Sequence, residues 1–213
     1  MKIEITCPDN KNEIKLSQYQ KFIKAIKDLD NDFLMRQYMV EIFCDLPNSV
    51  VRNMSKKSFN DVVNHLNVLL GEEDYKFIDR FTMNGIEYGF IPNLEDIKVG
   101  EMADIDSYIG DWQKMDKAMG VLFRPVTHTK KDKYIIEDYK NSVSLDLPLD
   151  VCLGAYFFLK SLLRDLLPFI PKYIKEEVHQ NPKLQSLVLN GDGINQFTES
   201  LEEVFSSLNV SMS

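Results

Sequence analysis

The feature that most limits the fold of this chain is an Asn84-Gly85 pair between two β-forming runs, residues 77–83 and 86–91. Asn-Gly is the favoured pair for a type I′ turn, so the two runs predict a β-hairpin. Because an isolated hairpin is marginally stable in water, it needs further contacts. We expect it either to pack on helices or to pair with an N-terminal strand. Residues 2–7 alternate between polar and apolar, so this pairing would give a three-stranded sheet.

A long amphipathic pattern follows the hairpin. Apolar residues recur at steps of three and four over residues 102–122, which is the period of an α-helix. The pattern ends at Arg124-Pro125, because the residue before a proline disfavours the helical conformation. Gly110 leaves two interpretations, one helix with a weak point or two helices, and we favour the break because an internal glycine costs about 1 kcal/mol relative to alanine. Trp112 and the methionines of this segment are predicted to lie in the core.

Three other amphipathic segments precede the hairpin. The first begins at Ser17, a predicted N-cap, and the second covers residues 33–46. The third runs from near Ser58 to Gly71, a predicted left-handed C-cap. Helices of this length are marginal alone and gain stability by packing on one another. We therefore predict a small helical bundle over residues 17–71.

The second half of the chain adds one strongly apolar helix. Residues 127–147 are polar and irregular, except that residues 134–136 have the composition of a short strand. Residues 149–167 are apolar on nearly every side, as expected for a central helix covered by its neighbours. The predicted fold class is mainly α (α+β), a helical bundle with a small antiparallel β-hairpin or three-stranded sheet.

The predicted domain organisation is one helical domain over residues 1–165, with its hairpin near 77–91, and a C-terminal helical extension over 166–213. Two prolines and a glycine-rich turn precede the last helix pattern, so this helix could dock on a partner instead of its own core. Three apolar residues at helical spacing are its candidate interface residues: Phe197, Leu201 and Phe205.

Charge and hydropathy exclude several classes of partner. The 213 residues include 25 Lys and Arg against 33 Asp and Glu, a formal charge of −8. This sign disfavours general nucleic-acid binding. The sequence contains one compact basic group, which we interpret as a solvated surface: Lys130, Lys131 and Lys133.

The apolar run over residues 151–159 is too short to span a bilayer. Residues 1–6 lack an apolar stretch of signal-peptide length, so we do not expect secretion.

The sequence contains no pattern that predicts catalysis, a cofactor or a metal site. Three cysteines without paired spacing indicate thiols of a reducing compartment: Cys7, Cys44 and Cys152. Three histidines also lack metal-ligand spacing: His65, His128 and His179. The densest acidic group is predicted to be a solvated helix face: Glu101, Asp104, Asp106, Asp111 and Asp116. No nucleotide-binding or serine-hydrolase motif is present.

Arg124 is the remaining candidate site residue. Its position between Phe123 and Pro125 leaves it little freedom. Two interpretations carry equal weight: Arg124 pairs with an acidic partner across an interface, or it interacts with the carbonyl groups at the end of its helix.

Several short segments resemble a loosely defined family of tailed-bacteriophage proteins. They are IEITCPD at residues 3–9, IKLSQYQ at 14–20, YGFIPNL at 88–94, GEMADID at 100–106 and VLFRPV at 121–126. The similarity covers roughly residues 1–165. Members are small proteins encoded among virion morphogenesis genes, and some are labelled as tail-assembly chaperones. Residues 166–213 match no pattern of this family.

The resemblance implies a non-enzymatic phage protein that binds other phage structural proteins, in a ring or another symmetric assembly. It supplies no catalytic residue and no cofactor. Two roles follow from it. The first is a virion component of the head–tail connector, the tail or the internal cargo, and the second is a transient tail-assembly chaperone. Either role places the chain in the host cytoplasm during assembly, and the first also places it in the virion. The absence of enzyme motifs disfavours a third class, a hydrolase.

Overall fold

The computed structural model of the chain describes residues 5–72, 75–131, 133–141 and 143–166. The chain divides into two compact units, residues 1–156 and 157–213. The predicted extension over residues 166–213 lies outside the described residues apart from Leu166, so its role stays a prediction.

The described residues contain seven α-helices and a four-stranded antiparallel sheet, which confirms the mainly helical α+β class. The helices are α1 (Leu16–Ile26), α2 (Asp32–Phe43), α3 (Asn48–Arg52), α4 (Lys56–Gly71), α5 (Val99–Ile109), α6 (Met115–Leu122) and α7 (Leu149–Leu166). The strands are β1 (Arg80–Met83), β2 (Ile86–Phe90), β3 (Phe123–Lys130) and β4 (Lys133–Ile136). Short 3-10 helices cover Lys11–Glu13, Leu94–Asp96 and Trp112–Lys114. No helix in this part of the chain is long and apolar enough to cross a membrane.

Helices α1 to α4 form the predicted bundle, in which α2 packs against the other three. Side chains cap the start of two of these helices. Asn31 accepts from the Leu34 amide at 3.0 Å at the start of α2, and Ser55 accepts from the Ser58 amide at 3.1 Å at the start of α4. Phe22 and Phe43 meet at a ring distance of 5.1 Å in the core between α1 and α2. The bundle therefore buries apolar residues of α1, α2 and α4, whereas Phe33 of α2 and Val68 of α4 stay 63% and 67% exposed.

Two predicted helix caps are wrong. Helix α1 begins at Leu16, and Ser17 lies inside it because Asp146, distant in sequence, accepts from both the Ser17 amide and hydroxyl at 2.8 and 2.9 Å. Gly71 is the last residue of α4 and does not adopt a left-handed conformation; the extended Glu72 ends the helix. Both errors arise at helix ends, and at Ser17 a contact with a distant segment outweighs local preference.

The sheet has the order β1-β2-β3-β4, and the turn between β1 and β2 confirms the predicted hairpin. Asn84 and Gly85 have φ angles of 53° and 78°, as a type I′ turn requires. The predicted N-terminal third strand is wrong for residues 5–7, which are not in a strand, and residues 1–4 lie outside the described residues. Strand β3 occupies the free edge of β2 instead, through pairing of Tyr88 with Pro125 and of Phe90 with Phe123.

The predicted break at Gly110 is confirmed, because α5 ends at Ile109 and a 3-10 turn leads into α6. Met115 and Met119 are fully buried, as predicted. The prediction is wrong for Met102, which has 55% of its surface exposed. Helix α5 is oriented so that Glu101 faces inward and Met102 faces outward. Trp112 is half-buried, with its ring 5.3 Å from those of Tyr19 and Tyr156.

Residues 143–147 form an extended segment that crosses helix α6, and we call it the strap. The Leu145 amide donates to the Asp116 carbonyl at 3.1 Å, and the Leu16 amide donates to the Leu147 carbonyl at 2.8 Å. Leu145 and Leu147 are both buried. The irregular backbone predicted for residues 127–147 is therefore present in the strap, but it is wrong for residues 127–130, which belong to β3.

Candidate interaction surface

Arg124 forms a buried ion pair with Glu101. The Arg124 Nη1 atom lies 2.8 Å from Glu101 Oε1, and their side chains are 12% and 2% exposed. Glu101 also accepts from the Lys98 amide at 2.9 Å, so one carboxylate both caps α5 and binds β3. The prediction that Glu101 lies on a solvated face is wrong, because its partner on β3 draws it inward.

Residues 138 and 139, which follow β4, add polar contacts to Arg124 and to α5. The Arg124 guanidinium lies 5.9 Å from the centre of the Tyr139 ring, and the Tyr139 hydroxyl donates to Asp104. Lys98 Nζ lies 3.4 Å from Asp138. Arg124 Nε is buried with no hydrogen-bond partner among the described residues. These contacts fix the start of α5 against the sheet, and they give Arg124 a partner inside the chain.

The other predicted acidic residues also have structural contacts. Asp111 accepts from the Gln113 amide at 2.9 Å and begins the 3-10 turn. Asp116 accepts from Gln20 Nε2 at 3.1 Å and from the Ser144 hydroxyl. Asp106 is exposed. Within the described residues, no group of three or more Cys, His, Asp or Glu side chains could hold a metal ion.

Strands β3 and β4 form a two-stranded arm, residues 126–136. Strand β2 pairs with β3 only as far as Pro125, and the arm beyond it pairs only within itself among the described residues. The register shifts at Val126/His128, where the extra residue Thr127 donates its hydroxyl to the Ile135 carbonyl at 3.2 Å. Such a bulge bends and twists a strand, and the pairing between β2 and β3 ends just before it.

The arm is exposed along most of its length, and its surface is both basic and apolar. Ile135 is 59% exposed, and the residues near the turn are exposed as well. The exposed cationic or titratable residues are His128, Lys130, Lys131 and Lys133. The sequence prediction that the lysines are solvated is consistent with this exposure. Val126, Thr127 and Thr129 are β-branched, which favours a strand, but the polar side chains around them and Pro125 masked this signal.

Tyr134 anchors the arm to the sheet. Its hydroxyl donates to the Phe90 carbonyl at 2.8 Å, and the Arg80 guanidinium lies 5.3 Å from its ring centre. Burial raises the pKa of the Tyr134 hydroxyl, and the nearby Asp79 raises it further, so the group stays protonated and can donate. The ring crosses Gly89 of β2, where a side chain would collide with it.

We expect Gly89→Ala to lower the free energy of unfolding by about 1–3 kcal/mol. An ideal Cβ at Gly89 would lie 2.5 Å from Tyr134 Cε2, so the ring must leave the sheet and release the arm. Urea unfolding measures the loss, with Tyr134→Ala as the matched background. The same glycine substitution should cost little once the ring is absent. A cost that is equal in both backgrounds would contradict the anchoring role of this contact.

A shallow groove lies between α1, α2 and the start of α3. Its volume is about 490 Å³. Apolar and charged side chains both line it; the lining includes Ala25, Tyr38, Ile42, Leu46, Pro47, Lys21 and Glu41. The groove is open and lies on the helical bundle, away from the contacts of the arm described above.

Four predicted residues remain outside the described part of the chain: His179, Phe197, Leu201 and Phe205. His65 belongs to no group of possible metal ligands among the described residues. Its Nε2 atom lies 2.9 Å from the Pro8 carbonyl oxygen. Sequence reasoning identified Arg124 but missed its partner Glu101 and the anchor Tyr134. Both lie at a distance along the chain that local periodicity does not report.

No protein-family model matches the chain, and neither a curated protein nor a solved structure is significantly similar to it. The resemblance to phage morphogenesis proteins therefore stays a prediction.

Proposed function

We propose that this chain is a non-enzymatic bacteriophage virion structural or assembly protein that acts through protein–protein contacts, as a head–tail connector, tail or cargo component. The observation that carries this proposal is the arm. A two-stranded ribbon is marginally stable in water, so an arm of this kind gains stability when it packs on a partner. Its exposed Ile135 also supplies apolar area that a partner can bury.

The charge of the arm indicates the chemistry of the partner surface. The arm carries three lysines and Asp132, which gives it a formal charge of +2. Because the whole chain has a formal charge of −8, the residues outside the arm sum to −10. A complementary surface presents carboxylates around a small apolar patch. The negative charge of the rest of the chain supports a second copy as this partner, in a ring or another symmetric assembly.

Mass spectrometry of purified virions tests the proposed role. A virion component is present at a fixed copy number that matches the symmetry of the portal or tail. A transient chaperone is present in infected cells and absent from the particle. Absence from virions, together with release from a tail protein before maturation, would replace the first role by the second.

One observation favours the chaperone as the second candidate. The groove beside α1 and α2 is lined in part by apolar residues, among them Ala25, Ile42 and Leu46, which suits a short apolar segment of a tail protein. Tyr38 lies at its edge and is partly exposed. Tyr38→Ala should therefore weaken binding of a client segment if the chain is a chaperone, and leave virion incorporation unchanged if it is a structural component.

Charge reversal in the arm tests the contact itself. We expect the triple substitution Lys130→Glu, Lys131→Glu and Lys133→Glu to reduce virion incorporation at least tenfold, because like charges then face the acidic partner. The matched control is Lys24→Glu, Lys27→Glu and Lys57→Glu, which changes the net charge equally at exposed sites on the helical bundle. Quantitative mass spectrometry of particles made with each variant measures the effect. Equal loss in both variants would indicate a general charge effect and remove the arm from the proposal.

A further inference from the structure

Two of the three cysteines lie side by side. The Cys44 Sγ atom donates to Cys7 Sγ at 3.4 Å, although the two residues are far apart in sequence. Cys44 is the C-cap of α2, and Cys7 lies just before Pro8 in the N-terminal segment. That segment packs along α4, where His65 Nε2 lies 2.9 Å from the Pro8 carbonyl. The contact therefore joins the N-terminal segment to the helical bundle.

The two thiols differ in their access to solvent. Cys7 is half-buried and can meet a small reagent, whereas Cys44 is buried. Burial and, after it, the contact with Cys7 together raise the pKa of the Cys44 thiol to about 12, so Cys44 keeps its proton at neutral pH. Cys152 is fully buried, and burial raises its pKa as well. Because only Cys7 is accessible, reaction is expected to begin there.

We propose that Cys7 and Cys44 form a redox site that reacts with a low-molecular-weight disulfide and closes into an intramolecular disulfide. The Cys7 thiolate attacks one sulfur of the reagent and releases one small thiol, which leaves a mixed disulfide on Cys7. Cys44 then loses its proton to solvent, attacks Cys7 Sγ and releases the second small thiol. One reagent disulfide is reduced to two thiols, and the protein loses two electrons and two protons.

The geometry favours closure over a lasting mixed disulfide. The sulfurs need to approach by only about 1.4 Å to reach bonding distance, a shift that side-chain rotation can supply. Cys44 faces Cys7 already, so its effective concentration is high. The closed bond ties the N-terminal segment to the end of α2 and restricts residues 8–43 in the unfolded chain. This inference goes beyond the proposed function, because it concerns the oxidation state of the isolated chain.

Treatment of the purified, reduced full-length protein with oxidised glutathione tests the inference. Intact-mass measurement should show a loss of roughly 2 Da, and peptide mapping should show Cys7 joined to Cys44 with Cys152 unmodified. The oxidised protein should unfold at a melting temperature roughly 10 °C higher than the reduced protein. Reduction with dithiothreitol should reverse both changes.

Single variants separate the two steps. Cys44→Ser should stop the reaction at a stable glutathione adduct on Cys7, and Cys7→Ser should abolish both adduct and cross-link. Cys152→Ser should react as the wild type does. A glutathione adduct that persists on Cys7 of the wild-type protein would overturn the inference, as would a disulfide between two chains or one to Cys152. Circular dichroism of each variant confirms that the fold is retained.

Discussion

We expect Glu101→Ala to lower the free energy of unfolding by about 3–5 kcal/mol. The substitution removes the carboxylate that pairs with Arg124 at 2.8 Å and leaves a guanidinium that is only 12% exposed. Removing one partner of a buried pair is costly because the remaining charge cannot return to water. The same substitution also removes the acceptor of the Lys98 amide at the start of α5. Urea unfolding followed by the fluorescence of Trp112, the single tryptophan, measures the loss.

Two controls make this expectation specific. The exposed pair Arg36 and Asp32 has a shorter distance, 2.6 Å, yet Asp32→Ala should cost less than about 1 kcal/mol because both charges stay solvated. The double variant Glu101→Leu and Arg124→Met should lose less than Glu101→Ala alone, because no unpaired charge remains buried. Equal losses for the buried and exposed single variants would show that burial does not govern the strength of this pair.

The ion pair also bears on Arg124 as an interface residue. The interaction with Glu101 is a third alternative to the two that the sequence suggested, an external acidic partner and the carbonyl groups of its own helix. Arg124→Ala should therefore reduce stability before it affects any assembly. If virion incorporation fell while the unfolding curve stayed unchanged, Arg124 would act at an interface.

The sequence predicted those elements whose signals are local. Asn84-Gly85 specifies its turn by the backbone conformation that these two residues tolerate, and Gly110 interrupts the helix pattern at its own position. The three amphipathic segments of residues 17–71 carry their period within one or two turns each. In all these cases the information lies within a few residues of the structure that it determines.

The elements that were missed depend on distant partners. Asp146 accepts hydrogen bonds from the Ser17 hydroxyl and amide. Arg124 pairs with Glu101 in the interior, and the ring of Tyr134 lies over Gly89. An acidic residue on a helix has the same local pattern whether it is solvated or paired with a buried cation. The Cys7–Cys44 contact likewise follows from the path of the N-terminal segment, which no short-range pattern reports.

The strap depends on a glycine in the same way, and Gly120→Ala should show it most clearly. An ideal Cβ at Gly120 would overlap the Val143 carbonyl oxygen and lie 2.7 Å from the carbonyl carbon, so the backbone of the strap must move away from α6. We expect a loss of more than about 3 kcal/mol, because backbone cannot rotate aside as a flexible side chain can.

The matched control for this expectation is Gly100→Ala, because Gly100 is also helical and has nothing within 4 Å of the added carbon. That substitution should raise the free energy of unfolding by about 0.4–1 kcal/mol through a less flexible unfolded chain. Unfolding in urea, with Trp112 fluorescence and circular dichroism read together, compares the two variants. If Gly120→Ala were as stable as Gly100→Ala, the strap would not be packed against α6. The buried Leu145 and Leu147 would then need another explanation for their burial.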